Sequence, residues 1–378
     1  MPDTTPIRAF LGPHHADLAE RARRFATEEI ATRPEPVEDA DARREARALL
    51  GMLGSGGWLQ PILDLDLRGC CLMREALAGA SPLADAVFAL QGLGTTPMLL
   101  AGSPAQKERW LEPIAEGKVM TGFAMTEAEA GSDVSAIATT ARRDGSDYVL
   151  DGTKTLISNA GIADLYVVFA STDPGRGAKG LSCFLVPADA PGLRFAGPQV
   201  LSAPHPLGDL AFERCRVPAD ALLGSEGRGY ALGLAALDRL RPTVAAAACG
   251  MAARALAESL DHVKRRQQFG APLAKLQLVQ QKLARMATDL TAARLLTYRA
   301  AHEKDAGQDR ITSEAAMAKA FATEMAQRVV DDAVQLIGGR GVLAAHPVDR
   351  LYRSVRALRI YEGTTEIQQL IIAGELLK

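Results

Sequence analysis

The segment Arg353 to Gln368, read as RSVRALRIYEGTTEIQ, sets a carboxylate, Glu362, directly before a glycine and after an apolar run. A helix that breaks at Gly363 and restarts after Thr364 and Thr365 holds such a carboxylate on rigid backbone at a bend. Arg353, Arg356 and Arg359 lie upstream and can cap or flank the helix end. A carboxylate held there and facing a dry pocket can take a proton from the carbon beside a carbonyl. The same letters also suit an ordinary solvated glutamate before a helix-breaking glycine. This segment alone does not separate the two readings.

Two other clusters could meet a polar ligand. Thr121 to Val134, TGFAMTEAEAGSDV, crowds Thr126, Glu127, Gly131, Ser132 and Asp133 together. Small and hydroxylated residues let backbone N–H groups and hydroxyls approach a planar polar ligand, although a Gly-Ser-Asp turn is commonly only a turn. Asp151 to Gly161, DGTKTLISNAG, reads as a hairpin with Asp151-Gly152 as its turn and Ser158 at a sheet edge. No metal is expected, because the His14-His15 pair has no matching cysteine or carboxylate cluster in the sequence. The five cysteines follow no ligand spacing and read as reduced, mostly buried thiols of a cytoplasmic protein.

The elements that must position these clusters change texture along the chain. Residues 1–118 carry apolar residues at helical spacing, with Leu18, Ala22, Phe25 and Ile30 on one stripe. Ser103 before Pro104 suits a helix N-cap. Residues 119–229 hold short β-rich runs (148–150, 165–170, 183–186 and 210–212) between turn signals such as Asp144-Gly145 and Pro191-Gly192. Thr172 to Lys179 reads as a mobile loop. Residues 230–378 return to long helical stretches that fit an antiparallel bundle. The fold expected is mainly α with a central β domain: an N-terminal helical domain, a small barrel or sandwich, and a C-terminal four-helix bundle. A net charge of -2 gives no electrostatic footprint for nucleic acid. The most apolar stretch, Val244 to Ala253, is too short to span a bilayer, so no membrane insertion is expected.

In this order and spacing, TEAEAGSD, DGTKTLISNAG, RRQQFG, QLIGGRGV and YEGTTEIQ resemble the acyl-CoA dehydrogenases over essentially the whole chain. The resemblance implies FAD between the sheet domain and the C-terminal helices. Phe123 to Ser132, including Met125, Thr126 and Gly131, would line the flavin, and Leu156, Ile157 and Ser158 would cover its other side. Arg266, Gln268, Phe269, Gln277 and the run Gln335 to Gly339, with Gly338, would reach the FAD of a neighbouring subunit. Thr364 and Glu366 would lie by the adenosine. Ser132, Asp238, Arg241 and Gly363 would hold the CoA thioester, and Arg241 could equally pair with Asp238 along a helix.

Glu362 matches the family's catalytic base. The alternative position used by some members is Leu240, which does no acid–base chemistry. The implied reaction is α,β-dehydrogenation of an acyl-CoA to its trans-2-enoyl-CoA, in a homotetramer built as a dimer of dimers, with electron-transfer flavoprotein as acceptor. A flavin oxidase or monooxygenase on the same scaffold, a carrier-protein-bound acyl substrate and a non-catalytic assembly subunit are the alternatives. Four departures stand out, one of them Ser354 where an aspartate is frequent. Ala128 replaces a common proline, and Leu156 replaces an aromatic residue. His205 sits in an unusual loop, at the substrate entrance or free in solvent.

Overall fold

The computed structural model describes residues 4–378. Six helices come first: α1 Pro13–Phe25, α2 Asp39–Ser55, the short α3 Gln60–Leu63, α4 Leu67–Ala80, α5 Pro82–Ala101 and α6 Pro104–Ala115. Strands follow as β1 Thr121–Ala124, β2 Thr140–Asp144, β3 Asp147–Ser158, β4 Leu165–Ser171, β5 Leu181–Pro187, β6 Leu193–Pro198 and β7 Leu207–Pro218. Helix α7 then runs Gly229–Arg265, and a small hairpin pairs β8 Gln267–Gln268 with β9 Ala271–Pro272. The chain ends with α8 Gln277–Asp305, α9 Thr312–Ile337, α10 Pro347–Leu358 and α11 Thr365–Leu376. By proximity along the folded backbone the chain forms two compact units. One holds the chain up to Glu35, Asp66–Asp85 and Asp238–Lys378, and the other holds Pro36–Leu65 and Ala86–Leu237.

The first unit is helical, and its core is built from small side chains. Val244, Ala245, Ala248, Ala252 and Ala255 of α7 share a buried cluster with Ala318, Ala322, Ala326 and Ala333 of α9. Small residues let helices approach closely, which brings whole backbones within reach of polar side chains. The extreme is Gly250, where an added Cβ would fall 2.2 Å from the Glu75 carbonyl oxygen of α4. Beside that crossing, Arg294 Nε donates to Glu75 Oε1 at 2.8 Å and the Tyr298 hydroxyl donates to Oε2 at 2.9 Å. The buried Glu75 charge is thus both paired and hydrogen-bonded, as burial requires.

The second unit carries a curled seven-stranded sheet in the order β1-β4-β2-β3-β7-β6, with β5 on the other side of β4. Every residue of β4 is buried, which explains its unbroken apolar run. β1 runs parallel to β4, and β5 runs antiparallel to it. The mainly α fold with a central β domain is as expected, and Ser103 does cap α6, its Oγ accepting from Gln106 N–H at 3.2 Å.

Some local expectations differ from the structure. Asp151-Gly152 is not a hairpin turn but lies inside β3, where the pairing with β7 shifts register after Leu150. The turn falls earlier, at Gly145 and Ser146 between β2 and β3, where Gly145 takes the positive φ. β1, β2 and β6 were not read as strands because each is short or charged. Thr172 to Lys179, expected as a mobile loop, largely fall in a 3₁₀ element at Pro174–Gly180, tied by Thr172 N–H to the Gly180 carbonyl at 2.9 Å. Among the described residues α5 alone is long and apolar enough to cross a membrane, by length and composition, yet 72% of its apolar window is buried inside the protein.

Candidate active site

Helix α10 ends at Leu358 and α11 begins at Thr365, so Glu362 and Gly363 lie in the connecting bend. The Thr364 hydroxyl caps α11 by accepting from Ile367 N–H at 3.3 Å. Glu324 of α9 pins both sides, accepting from Arg359 Nε and from the Thr365 hydroxyl at 2.7 Å each. Both bend residues take the left-handed region, Glu362 at φ +54° and Gly363 at φ +90°. For a glutamate this costs about 1–3 kcal/mol and needs surrounding contacts to hold it. Those contacts grip the two carbonyls. The Glu362 carbonyl accepts from Arg241 Nε at 3.4 Å and Gln368 Nε2 at 3.3 Å. The Gly363 carbonyl accepts from Lys319 Nζ at 2.6 Å and Gln368 Nε2 at 3.0 Å. A bend around Gly363 was legible in the sequence, but α10 already ends at Leu358 and α11 restarts at Thr365 itself, not after it, and the clamp left no trace.

The carboxyl itself is placed differently. Glu362 Oε2 is buried and, among the described residues, finds no hydrogen-bond partner. Burial holds the Glu362 pKa above its ordinary value, opposed by the nearby Arg74, Lys319 and Arg241. Arg74 forms a two-point pair with Asp85 at 2.7 and 2.9 Å and donates to the Thr243 hydroxyl at 2.9 Å. Lys319 has no exposed surface, and burial lowers its pKa to about 8 against the pull of Glu362. A desolvated carboxylate oxygen with a vacant lone pair, held rigidly and flanked by cations, is equipped to accept a proton.

The expected substrate residues fall into place variously. Arg241 is buried, pairs with Asp238 and reaches the Glu362 carbonyl. Asp238 also accepts from the Thr312 hydroxyl at 2.7 Å. Ser132 is exposed. Leu240 is buried on α7. Sequence reasoning missed Lys319, Gln368 and Arg74. The legible signal was Lys319, a lone lysine on the alanine-rich stripe of α9 among Ala315, Ala316 and Ala322.

In the second unit, the loop after β1 is laid along β3. Thr155 N–H donates to the Thr126 carbonyl at 3.0 Å, and buried Lys154 donates to the Met125 carbonyl at 3.0 Å. Thr126 and Leu156 are thereby brought side by side, and Phe123 packs on Phe169 with ring centroids 4.9 Å apart. Leu156 stands at φ +55° and is 54% exposed, its N–H donating to Asp209 Oδ1 at 3.3 Å. His205 is not a solvent-facing turn residue: its Nε2 lies 2.8 Å from Ser158 Oγ. Burial, with the neighbouring Arg43, lowers the His205 pKa to about 4, so its ring is neutral at neutral pH.

The remaining cofactor candidates lie in the first unit. Arg266, Gln268, Gln277, Gln335, Gly338, Gly339 and Glu366 are exposed. Phe269, at the tip of the β8–β9 hairpin, is 91% exposed at φ +54°. A guanidinium, an aromatic face and the Gly338-Gly339 pair, open around both glycines and with Gly338 at φ +71°, fit the phosphates and ring of a dinucleotide. His14 and His15 do find a carboxylate after all, in Asp66, and one ligand atom from each of the three lies within 4.8 Å of the others. The network serves helix capping. Gly12 N–H donates to His15 Nδ1 at 3.1 Å, which leaves the proton on Nε2 to donate to Asp66, itself the cap of α4. That tautomer offers no lone pair at Nε2 for a metal.

Three domain families match this chain in order. The acyl-CoA dehydrogenase N-terminal domain covers residues 12–118, the middle domain 122–215 and the C-terminal domain 227–377. The chain is 39% identical to a 3-(aryl)acrylate reductase of Clostridium sporogenes, covering 98% of this chain and 100% of that protein. It is 42% identical to the mitochondrial short-chain specific acyl-CoA dehydrogenase of Homo sapiens, covering 96% of this chain and 90% of that protein. The solved butyryl-CoA dehydrogenase of Megasphaera elsdenii superposes with a TM-score of 0.90 at 33% identity, covering 97% of this chain and 99% of that one.

Proposed function

The chain belongs to the acyl-CoA dehydrogenase family of oxidoreductases, and we propose that it is an FAD-dependent dehydrogenase of short acyl-CoA thioesters with Glu362 as its base. The observation that carries this reading is the buried, unpartnered Oε2 of Glu362 on a bend gripped through its own carbonyls. The names of the human and Megasphaera relatives support the short acyl chain.

FAD, when bound, supplies the acceptor for the β-hydrogen of the acyl chain as hydride. Phe123, Thr126, Leu156 and Ser158 would hold its flavin, and Arg266, Phe269, Gln335 and the Gly338-Gly339 pair would serve the cofactor of a neighbouring copy. That sharing implies an obligate oligomer, proposed as a homotetramer, with electron-transfer flavoprotein as the onward electron carrier.

The protein's own chemistry centres on one proton. The α-proton of a thioester is far too weakly acidic for a carboxylate in water. Burial strengthens Glu362 as a base by raising its pKa, and Arg74, Lys319 and Arg241 oppose that rise. Its backbone N–H is proposed to donate to the thioester oxygen as negative charge builds there. The acyl α-carbon loses its proton to Oε2, and the product is the trans-2-enoyl thioester.

A second reading runs the same site in reverse. The Clostridium relative is named for reducing an acrylate, and a protonated Glu362 would then return a proton to the α-carbon. Anaerobic titration of the flavin-loaded protein with butyryl-CoA, longer acyl-CoAs and arylacrylates separates the two. Bleaching of the flavin by butyryl-CoA supports dehydrogenation, whereas reoxidation of dithionite-reduced protein by an acrylate alone supports reduction. Glu362→Gln should bind the thioester yet slow bleaching by more than about 1,000-fold, and rapid bleaching by that variant removes Glu362 from the role.

A further inference from the structure

We propose that Lys319 is a positioning residue for this reaction: its ammonium both fixes the Glu362–Gly363 bend and keeps the Glu362 carboxylate charged. The inference rests on the reading of Glu362 as the base. Lys319 has no exposed surface, and its Nζ donates to the Gly363 carbonyl at 2.6 Å. A neutral carbonyl does not offset the several kcal/mol that burying an ammonium costs, so a nearby anion must. The acids that act on Lys319 are Glu362, Glu324 and Glu366, with Arg241 opposing them. Glu324 is committed to Arg359 and Thr365, and Glu366 is exposed on the first turn of α11. Glu362, whose Oε2 is buried and unpartnered, is the strongest of the three.

The other charged groups around the bend are already matched. Arg74 on α4 holds Asp85 at two points, and Arg241 on α7 holds Asp238. Lys319 on α9 therefore draws on Glu362 before any other acid for its counter-charge, while Glu362 is held by Arg74 first and then by Lys319 and Arg241. When Glu362 takes the α-proton, the buried ammonium loses its strongest anion and keeps the Gly363 carbonyl, with only the weaker pull of Glu324 and Glu366 beyond it. The protonated base is destabilised by that loss, which favours release of its proton after turnover. Gln368 supplies the comparison. It grips the Gly363 carbonyl that Lys319 holds, and the Glu362 carbonyl as well, with a neutral amide, so it holds the bend without acting on the charge.

The test follows flavin reduction by butyryl-CoA from about pH 5 to about pH 9, together with an infrared difference titration of the Glu362 carboxyl in substrate-free protein. Lys319→Met and Lys319→Gln should move the acid limb, and the infrared titration with it, upward by about one unit or more. Gln368→Leu should slow reduction while leaving both where they are. Should the methionine variant fail to fold, the glutamine variant decides, since it keeps a donor for the Gly363 carbonyl. An unmoved limb and an unmoved infrared titration in the lysine variants overturn the proposal. Rapid reduction by Glu362→Gln overturns the base assignment itself and this inference with it, an outcome distinct from an unmoved limb in a Glu362-dependent reaction.

Discussion

Lys154 Nζ donates to Glu127 Oε1 at 2.7 Å with the lysine fully buried. The same carboxylate accepts Ala138 N–H at 2.7 Å, Thr139 N–H at 3.0 Å and the Thr139 hydroxyl at 2.5 Å. One ion pair therefore ties the loop carrying Thr126 to the strand carrying Leu156 and Ser158. The two segments proposed to hold the flavin are set against each other by a residue pair that touches neither role directly.

Removing the ammonium leaves a nearly buried carboxylate without its counter-charge. Lys154→Met should destabilise the protein by about 3 kcal/mol, the scale for breaking one partner of a buried pair. Flavin content should fall with it, because the loop loses its tether. Denaturant unfolding and the visible absorbance of the purified variant check both. Full flavin content at reduced stability would show that the pair supports the fold without shaping the site.

His205 gives a pH-dependent prediction with a defined sign. Burial, then Arg43, hold its folded pKa at about 4, below the ordinary histidine value of 6.5. The unfolded chain therefore binds the proton more readily between those values. Stability is fully present above the unfolded pKa and is lost as pH falls toward the folded one. His205→Asn should flatten the stability curve between about pH 6.5 and about pH 4 relative to wild type. It should also change the flavin's visible spectrum if Ser158 lies beside the ring. Parallel unfolding curves for the two proteins in that window would refute the first expectation.

The parts of this fold that repeat a pattern were legible, and the parts that depend on a partner far along the chain were not. The continuous apolar run of β4 and the alanine stripe of α9 announce their elements, since burial on both faces or on one helical stripe leaves a periodic trace. β2, read as TARRD, leaves no such trace because only one of its five residues is buried. Asp151-Gly152 carries turn letters yet sits in a strand, because the glycine's φ of +147° serves a bulge packed on Thr139. At the site, Glu362 was legible because its glycine and threonines mark a bend locally. Lys319 and Arg241 reach that bend from 43 and 121 residues away, counted from 362 − 319 and 362 − 241. Nothing in a linear pattern records that meeting.

Gly363 is required by both conformation and space. Its φ is +90°, and a Cβ there would lie 2.5 Å from Gln368 Nε2. Gly363→Ala should displace the amide that holds both bend carbonyls, destabilising the protein by about 1–3 kcal/mol. Flavin reduction should slow by about 10-fold or more, since a small misplacement of a reacting group is costly. Stopped-flow reduction by butyryl-CoA at saturating FAD measures it, and a wild-type rate would mean the bend tolerates the methyl group by moving Gln368 alone.

Phe269 makes the opposite case, an apolar ring with almost nothing of its own chain to pack on. It is 91% exposed and sits at φ +54° before Gly270 at φ +78°, so the β8–β9 turn aims it away from the helices. A side chain so exposed contributes little to the stability of one subunit, and Phe269→Ala should shift monomer unfolding by no more than about 0.5 kcal/mol. If the ring serves the cofactor of a neighbouring copy, the same variant should lose flavin on dilution and sediment as a smaller species than wild type. Analytical ultracentrifugation monitored at the flavin absorbance reads mass and cofactor together. A variant that keeps wild-type mass and flavin would place the hairpin outside both the cofactor site and the subunit interface.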